Sequence, residues 1–443
     1  MDKRRISVFI LAALLAVATY LAPIQLDMGA KIVLAIMVLA MVLWVSETIP
    51  LHATAIIVVF LLVVVAGISP RDAFTPFFDP VVVLLLGGFV LARALIKHNL
   101  DEFIAMKFLD KFGSSPRMFL LGMMYITAFL SMWISNTAST AVLLPIAIVV
   151  LSDNGLKALK SNYGKSMVLG IAFAATTGGV GTLLGSTPNL IAAKFLTESG
   201  IQFGFNEWLF YGLPIAIIFI PIVWLVLTTI FRPEIQSLKR KKYDKKLTRE
   251  QKLVLLVFAI TVCMWLSKPL HGIANSTVAL IPIILLYLMN LLDSKDFSKV
   301  NWGTLILIGG GLSLGLAIQA TGLDMAIADL MKVLLLNQPI LFMFMIIATF
   351  GIILTTFASN TAAAAVMIPI MIPLAELLNI DPRIPVLIIA IIVSMDYLLL
   401  VGTPPSAIAY SSGYVRVKDM LKGGFLLTVA AILLVSVIAF LFW

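Results

Sequence analysis

A single cysteine, Cys263, stands in a chain of 443 residues, so neither an intrachain disulfide nor a Cys-rich metal centre can form. Charge is scarce as well. Asp, Glu, Lys and Arg make up 12% of the chain, against roughly 25% in soluble domains. Hydrophobic residues reach 61% and the mean hydropathy is +1.10, which excludes a soluble globular fold and places most of the chain in lipid. The three histidines, His52, His98 and His271, show no metal-ligand spacing with a carboxylate. No phosphate loop, His-Glu-x-x-His motif or Ser/His/Asp arrangement appears, so a membrane-embedded enzyme is disfavoured. The formal charge of +9 resides in short Lys/Arg clusters between apolar runs. The positive-inside rule accounts for these, and no nucleic-acid partner is expected. No cleavable signal peptide is expected either, because the run from Ile6 leads to Ala22-Pro23 without a small-x-small site.

What is present is a succession of apolar runs. About 20 residues of helix cross a hydrocarbon core, and the sequence offers eleven candidate spans at about 6–22, 29–47, 52–68, 80–97, 166–196, 207–230, 252–269, 276–292, 302–320, 384–412 and 421–442. Two further segments, about 117–151 and 338–377, are interrupted near their middles by Ser-Asn-Thr. If these are re-entrant and the N-terminus is cytoplasmic, every strongly basic loop falls inside. The strongest anchor is 231–252, with nine basic and three acidic residues. The C-terminus then lies outside. Two full crossings per segment would keep the same parity, so charge alone does not separate the two arrangements.

The chain repeats itself. Gly87-Gly88 answers Gly310-Gly311, Leu100-Asp101 answers Leu323-Asp324, and Ser135-Asn136-Thr137-Ala138 answers Ser359-Asn360-Thr361-Ala362. Pro145 pairs with Pro369, and Gly185-Ser186-Thr187-Pro188-Asn189 with Gly402-Thr403-Pro404-Pro405-Ser406; Trp44-Val45-Ser46 pairs less closely with Trp265-Leu266-Ser267. The sequence thus divides into an N-terminal transmembrane helix (1–28), a first repeat (29–230), a basic cytoplasmic linker (231–251) and a second repeat (252–443). The repeats begin on spans that cross in opposite directions and are therefore inverted, an organisation that permits alternating access. The expected class is an all-α polytopic membrane protein in a bacterial inner membrane, in contact with lipid, with continuations near 101–112 and 324–334 reading as amphipathic interfacial helices.

Breaks at membrane depth expose backbone groups, which is tolerated only beside protein or a water-filled cavity. A Ser-Asn-Thr turn offers oxygens to a cation, and amide and hydroxyl donors to an anion. The proline-containing breaks free nearby carbonyls. Such an oxygen cage suits a hard monovalent cation such as sodium. Gly87-Gly88 and Gly309-Gly310-Gly311 read as close-packing devices, and Thr176-Thr177-Gly178-Gly179 as a candidate cavity lining. Among ionisable groups, Glu47, Arg93 and Lys268 lie near span ends and can snorkel. Asp396 lies inside a span, where a charge is a functional candidate by default.

On its paired Ser-Asn-Thr tips and Gly-x-x-Pro breaks, the chain resembles the divalent anion/sodium symporter family over nearly its whole length. The resemblance implies an elevator-type homodimer that carries a small dianionic carboxylate, here a C4 dicarboxylate, with sodium. It implies one sodium site at Ser131, Ser135, Asn136 and the backbone near Gly185, and a second at Thr355, Ala358, Asn360 and the backbone near Gly402. Substrate carboxylates would meet Asn136, Thr137, Asn360, Thr361 and Thr403. No arginine clamp is needed, because sodium and helix N-termini would balance the charge. Ser406 departs from the family, which often has Asn there. A sodium-independent exchanger of the same fold is the nearest alternative, and a passive anion channel a more distant one.

Overall fold

Proline and small polar residues decide where the helices start. Ser135 and Ser359 each accept a hydrogen bond from the backbone N–H three residues on, capping the helix that follows. Pro70, Pro80, Pro116 and Pro404 occupy first helical positions, where the missing N–H costs nothing. The computed structural model describes residues 3–239, 243–399 and 403–443. Among these the chain is helical, without strands. The first half contains α1 (Lys3–Leu21), α2 (Met28–Ser46), α3 (Leu51–Val64), α4 (Pro70–Phe74), α5 (Pro80–Lys97), α6 (Leu100–Leu109), α7 (Pro116–Ser131), α8 (Asn136–Asp153), α9 (Asn162–Gly178), α10 (Thr187–Glu198) and α11 (Phe205–Ile230). The second contains α12 (Arg249–Leu266), α13 (Lys268–His271), α14 (Asn275–Val278), α15 (Leu280–Leu288), α16 (Ser294–Ser298), α17 (Trp302–Ala320), α18 (Leu323–Leu335), α19 (Ile340–Phe357), α20 (Asn360–Leu378), α21 (Arg383–Ser394), α22 (Pro404–Ser411) and α23 (Val417–Phe442).

Eight helices among the described residues are long and apolar enough to cross a bilayer. Three of them, α8, α19 and α20, belong to the segments interrupted by Ser-Asn-Thr, so five of the eleven expected spans are among the eight. Part of the difference is local. The runs at 166–196 and 384–412 are each split into two helices, α9 with α10 and α21 with α22. The run at 276–292 is divided at Ala279, whose carbonyl lies 2.2 Å from where a side chain on Gly87 would begin. Gly87 is thus a close-packing glycine, as read from the sequence. Arg93 does not snorkel. It pairs with Asp296 at 2.8 Å.

Polar contacts sort the helix ends into two faces. On one face the 231–251 linker docks against neighbouring ends: Leu238 N–H donates to the Ser114 carbonyl before α7, and Asn154 past α8 donates to the Lys239 carbonyl. Tyr163 at the start of α9 donates its backbone N–H to Glu234 at 2.8 Å, and Gln251 of α12 donates to the His98 carbonyl past α5. Asp296 of α16, just before α17, meets Arg93 and Lys97 near the end of α5. So α17 starts where α5 ends. On the opposite face Lys194 of α10 pairs with Asp79, the N-cap of α5, at 2.5 Å.

At the centre the halves exchange partners. The pairs α7–α9 and α19–α21 pack within their own halves, whereas α22 packs on α8 and α9, and α10 on α20 and α21. Each short helix after a break therefore lies against the tip-bearing helix of the other half, which brings the four polar interruptions together.

Candidate functional site

A cavity of about 820 Å³ opens where these elements meet. Ser135, Asn136 and Thr137 line it from the first tip, and Ala358, Ser359, Asn360 and Thr361 from the second. Gly185, Ser186 and Thr187 come from the first break, Thr403 and Pro404 from the second. Gly402 lies outside the described residues. Thr176 and Thr177 do not line the cavity. Thr176 bonds back to the Ala172 carbonyl, and Thr177 bonds the Tyr397 hydroxyl at 2.8 Å, both deep in the core.

Ser131 and Thr355 sit just behind the tips, each in the same arrangement. The Ser131 hydroxyl lies 2.6 Å from Asn136 Oδ1 and 2.7 Å from the Ala175 carbonyl. The Thr355 hydroxyl lies 2.9 Å from Asn360 Oδ1 and 3.0 Å from the Val393 carbonyl. A hydroxyl has one proton to donate and here faces two acceptors. Each cluster thus gathers three oxygens around one hydrogen, an excess of lone pairs that suits a small hard cation. In the first half the oxygen set extends further. A side chain on Gly179 would begin 2.7 Å from Asn136 Oδ1 and 3.0 Å from the Gly185 carbonyl, so these oxygens close on a point that only glycine leaves open.

Asn189 holds that loop in place. Its Nδ2 donates to the carbonyls of Gly179 and Thr182 at 2.9 and 2.8 Å, and its buried Oδ1 has no partner among the described residues. The second half replaces this brace with Ser406, which accepts from Thr403 at 3.0 Å. The weaker brace is the structural counterpart of the Asn-to-Ser departure visible in sequence.

The tips differ in exposure. Thr137 is exposed to the cavity, whereas Thr361 is buried and hydrogen-bonded to Thr187 of the opposite break. Ser186 likewise bonds Ser394 at 2.8 Å. The difference between the tips is confined to the threonines, since Ser359 and Asn360 reach the cavity as Ser135 and Asn136 do. Glu47, Asn301 and Thr304 complete the lining from the ends of α2 and α17; nothing in the repeat pattern marked Asn301, Thr304 or Ser394, since each depends on packing between halves. No arginine or lysine lines the cavity, and no group of three or more His, Cys, Asp or Glu that could hold a metal occurs among the described residues.

Known proteins similar to this chain include membrane transporters. An uncharacterized transporter of Haemophilus influenzae is 34% identical, covering 93% of this chain and 91% of the relative. The sodium-dependent dicarboxylate transporter SdcS of Staphylococcus saprophyticus is 31% identical, covering 97% and 90%. Solved structures share the fold at low identity: the Alcanivorax borkumensis YdaH transporter, with TM-score 0.58, 16% identity and 83% and 85% coverage, and Neisseria gonorrhoeae MtrF, with TM-score 0.59, 15% identity and 97% of each chain. The family model of the sodium:sulfate symporter transmembrane region matches residues 2–443. The chain is thus a membrane transporter rather than an enzyme, and belongs to the sodium:sulfate symporter family, the divalent anion/sodium symporters that its paired tips resemble.

Proposed function

We propose that this protein is a secondary active transporter that carries a C4 dicarboxylate such as succinate, malate or fumarate together with sodium. The observation that carries the reading is the single cavity in which both Ser-Asn-Thr tips and both breaks converge, with an oxygen cluster behind each tip. One cation would sit at Ser131, Ser135, Asn136 and the Gly185 backbone. The other would sit at Thr355, Ala358, Asn360 and the Gly402 backbone. The dianion would lie between them, accepting from Asn136, Thr137, Asn360, Thr361 and Thr403 and from the free N–H groups at the starts of α8 and α20. The sodium-dependent dicarboxylate transport named for SdcS supports the choice of ions.

Movement would follow the elevator scheme. The tips, the breaks and α11 and α23 form the travelling body, and α2, α3, α5, α12, α15 and α17 form the frame, within a homodimer in the bacterial inner membrane. With the basic linker on the cytoplasmic side, the N-terminus is inside and the C-terminus outside. The cavity, lined by Glu47, Asn301 and Thr304 near the linker face, then opens inward. The Thr187–Thr361 contact would form part of the outer barrier of this conformer.

Uptake of labelled succinate into proteoliposomes tests the proposal. Concentrative uptake driven by an inward sodium gradient, absent with potassium and lost in Asn136→Ala and in Asn360→Ala, is the expected result. Uptake that ignores sodium but requires internal dicarboxylate would instead establish an exchanger and remove the cation role of both clusters.

A further inference from the structure

Glu47 is the only ionisable side chain among the described residues that line the cavity. It follows α2 directly, is exposed, and takes part in none of the ion pairs among the described residues. Its nearest companions on the lining from the frame, Asn301 and Thr304, are neutral. The backbone at Glu47 is left-handed, at φ 46° and ψ 27°. Apart from Leu159, the other described residues with positive φ are asparagines (Asn99, Asn290, Asn337 and Asn379) or glycines. Those residues enter this region at least cost, and a glutamate does not. Strain of this kind concentrates at functional positions. The corner after α2 thus spends conformational energy to place a carboxylate on the wall of a cavity otherwise free of charge.

The second half does not repeat this acid. Trp44-Val45-Ser46 answers Trp265-Leu266-Ser267, so position 47 answers Lys268. The corners are built alike: Trp44 Nε1 donates to the Leu51 carbonyl just beyond its corner, and Trp265 Nε1 to the Asn275 carbonyl beyond its own. Lys268 stands on the opposite face, after α12, where its Nζ and Glu207 Oε2 lie 3.6 and 3.2 Å from where a side chain on Gly204 would begin. An acid without a countercharge therefore occurs at this corner in the first half and a base beside an acid in the second.

A fixed carboxylate acts with opposite sign on the two ions. It repels a dianion in the cavity and attracts sodium, and the interaction scales with the product of the charges. We propose that Glu47 is the dianion-repelling residue of this conformer: its carboxylate weakens dianion binding and strengthens sodium binding at the cytoplasmic mouth. The site then releases its dianion inward and resists taking it back. This rests on the sodium-coupled, inward-open reading above. Because α2 belongs to the frame and the tips to the travelling body, outward movement would carry the site away from Glu47, so the penalty falls on the inner side alone.

Two binding measurements on the full-length purified protein test it. Labelled succinate at saturating sodium is expected to bind more tightly to Glu47→Gln than to wild type, whereas radiolabelled sodium without dicarboxylate is expected to bind more weakly. A dianion feels about twice the energy of a sodium ion at equal distance, so an effect of about threefold on sodium implies about ninefold on succinate. Glu47→Asn, which suits the left-handed backbone, should reproduce both changes without loss of melting temperature, and Glu47→Asp should restore wild-type affinities. Choline chloride should narrow the gap between wild type and Glu47→Gln, as screening does for an exposed charge. Equal sodium affinities in wild type and the neutral variants would overturn the proposal. So would a loss of affinity for both ions, which is the mark of a corner that is merely structural. Failure of wild type to bind succinate would count against the dicarboxylate reading instead, and the sodium arm, which contains none, would still decide the role of Glu47.

Discussion

Gly179 carries more of the first oxygen cluster than any polar residue's identity suggests. An added methyl group would start 2.7 Å from Asn136 Oδ1 and 3.0 Å from both Asn136 Nδ2 and the Gly185 carbonyl, so it would displace the amide from the cluster. Overpacking of this kind costs about 1–3 kcal/mol, which corresponds to a loss of about tenfold or more in affinity when it falls on the bound state. Gly179→Ala is therefore expected to raise the sodium concentration for half-maximal stabilisation of the purified protein by about tenfold, measured as sodium-dependent melting temperature. A variant with unchanged sodium response would show that the oxygens around Gly179 do not hold the ion. The tip asparagines were legible in sequence because both halves repeat them. Ser131 and Thr355 match in the repeat but were assigned a role through family resemblance, and their physical reason, a hydroxyl shared between an amide oxygen and a carbonyl, depends on the tertiary fold.

At the scale of elements, the short helix α16 joins the two halves through one carboxylate. Asp296 receives Arg93 Nη2 at 2.8 Å and Lys97 Nζ at 2.5 Å, with only 4% of its side chain exposed. Burial pushes its carboxyl up, but hydrogen bonds from Lys97, the Asp293 backbone and Arg93 outweigh that and hold it at about 2. A carboxyl depressed in the folded state stabilises above its unfolded value of about 4 and loses that contribution as pH falls toward the folded value. Asp296→Asn is thus expected to lower stability by about 1–3 kcal/mol at neutral pH. In detergent, its melting temperature should approach that of wild type between about pH 4 and pH 2. A gap between the two that stays constant down to pH 2 would assign the effect to packing rather than charge. Sequence suggested that Arg93 reaches for the interface. It pairs instead because α16 returns the chain to the end of α5, a contact across some two hundred positions that no local pattern announces.

For the whole molecule, the elevator scheme requires α10 to slide against α5, and the Asp79–Lys194 pair marks that boundary in this conformer. With the exposed Cys263 replaced by serine, Asp79→Cys and Lys194→Cys can be joined by a bis-methanethiosulfonate linker about as long as the lysine side chain. Cross-linked transporter is expected to lose succinate uptake and to regain it on reduction. Full activity while cross-linked would rule out displacement of α10 relative to α5. The related threonines of the two tips differ in exposure, Thr361 being buried against Thr187 and Thr137 exposed, so symmetry in sequence does not appear as symmetry in exposure.

Composition by itself placed this chain in the membrane, because 12% charge cannot solvate the surface of a soluble fold. Repetition by itself located the tips and breaks, because a Ser-Asn-Thr turn or a proline break is a local backbone event encoded by adjacent residues. Where those four interruptions meet was decided only by tertiary structure. The exchange of α10 and α22 between halves sets the cavity, and the hydrogen bonds of Thr361 with Thr187 and of Ser186 with Ser394 join the halves beside it. Each of these depends on packing between residues far apart in the chain, and hydrophobic burial, being non-directional, leaves no local trace of the partner it will find.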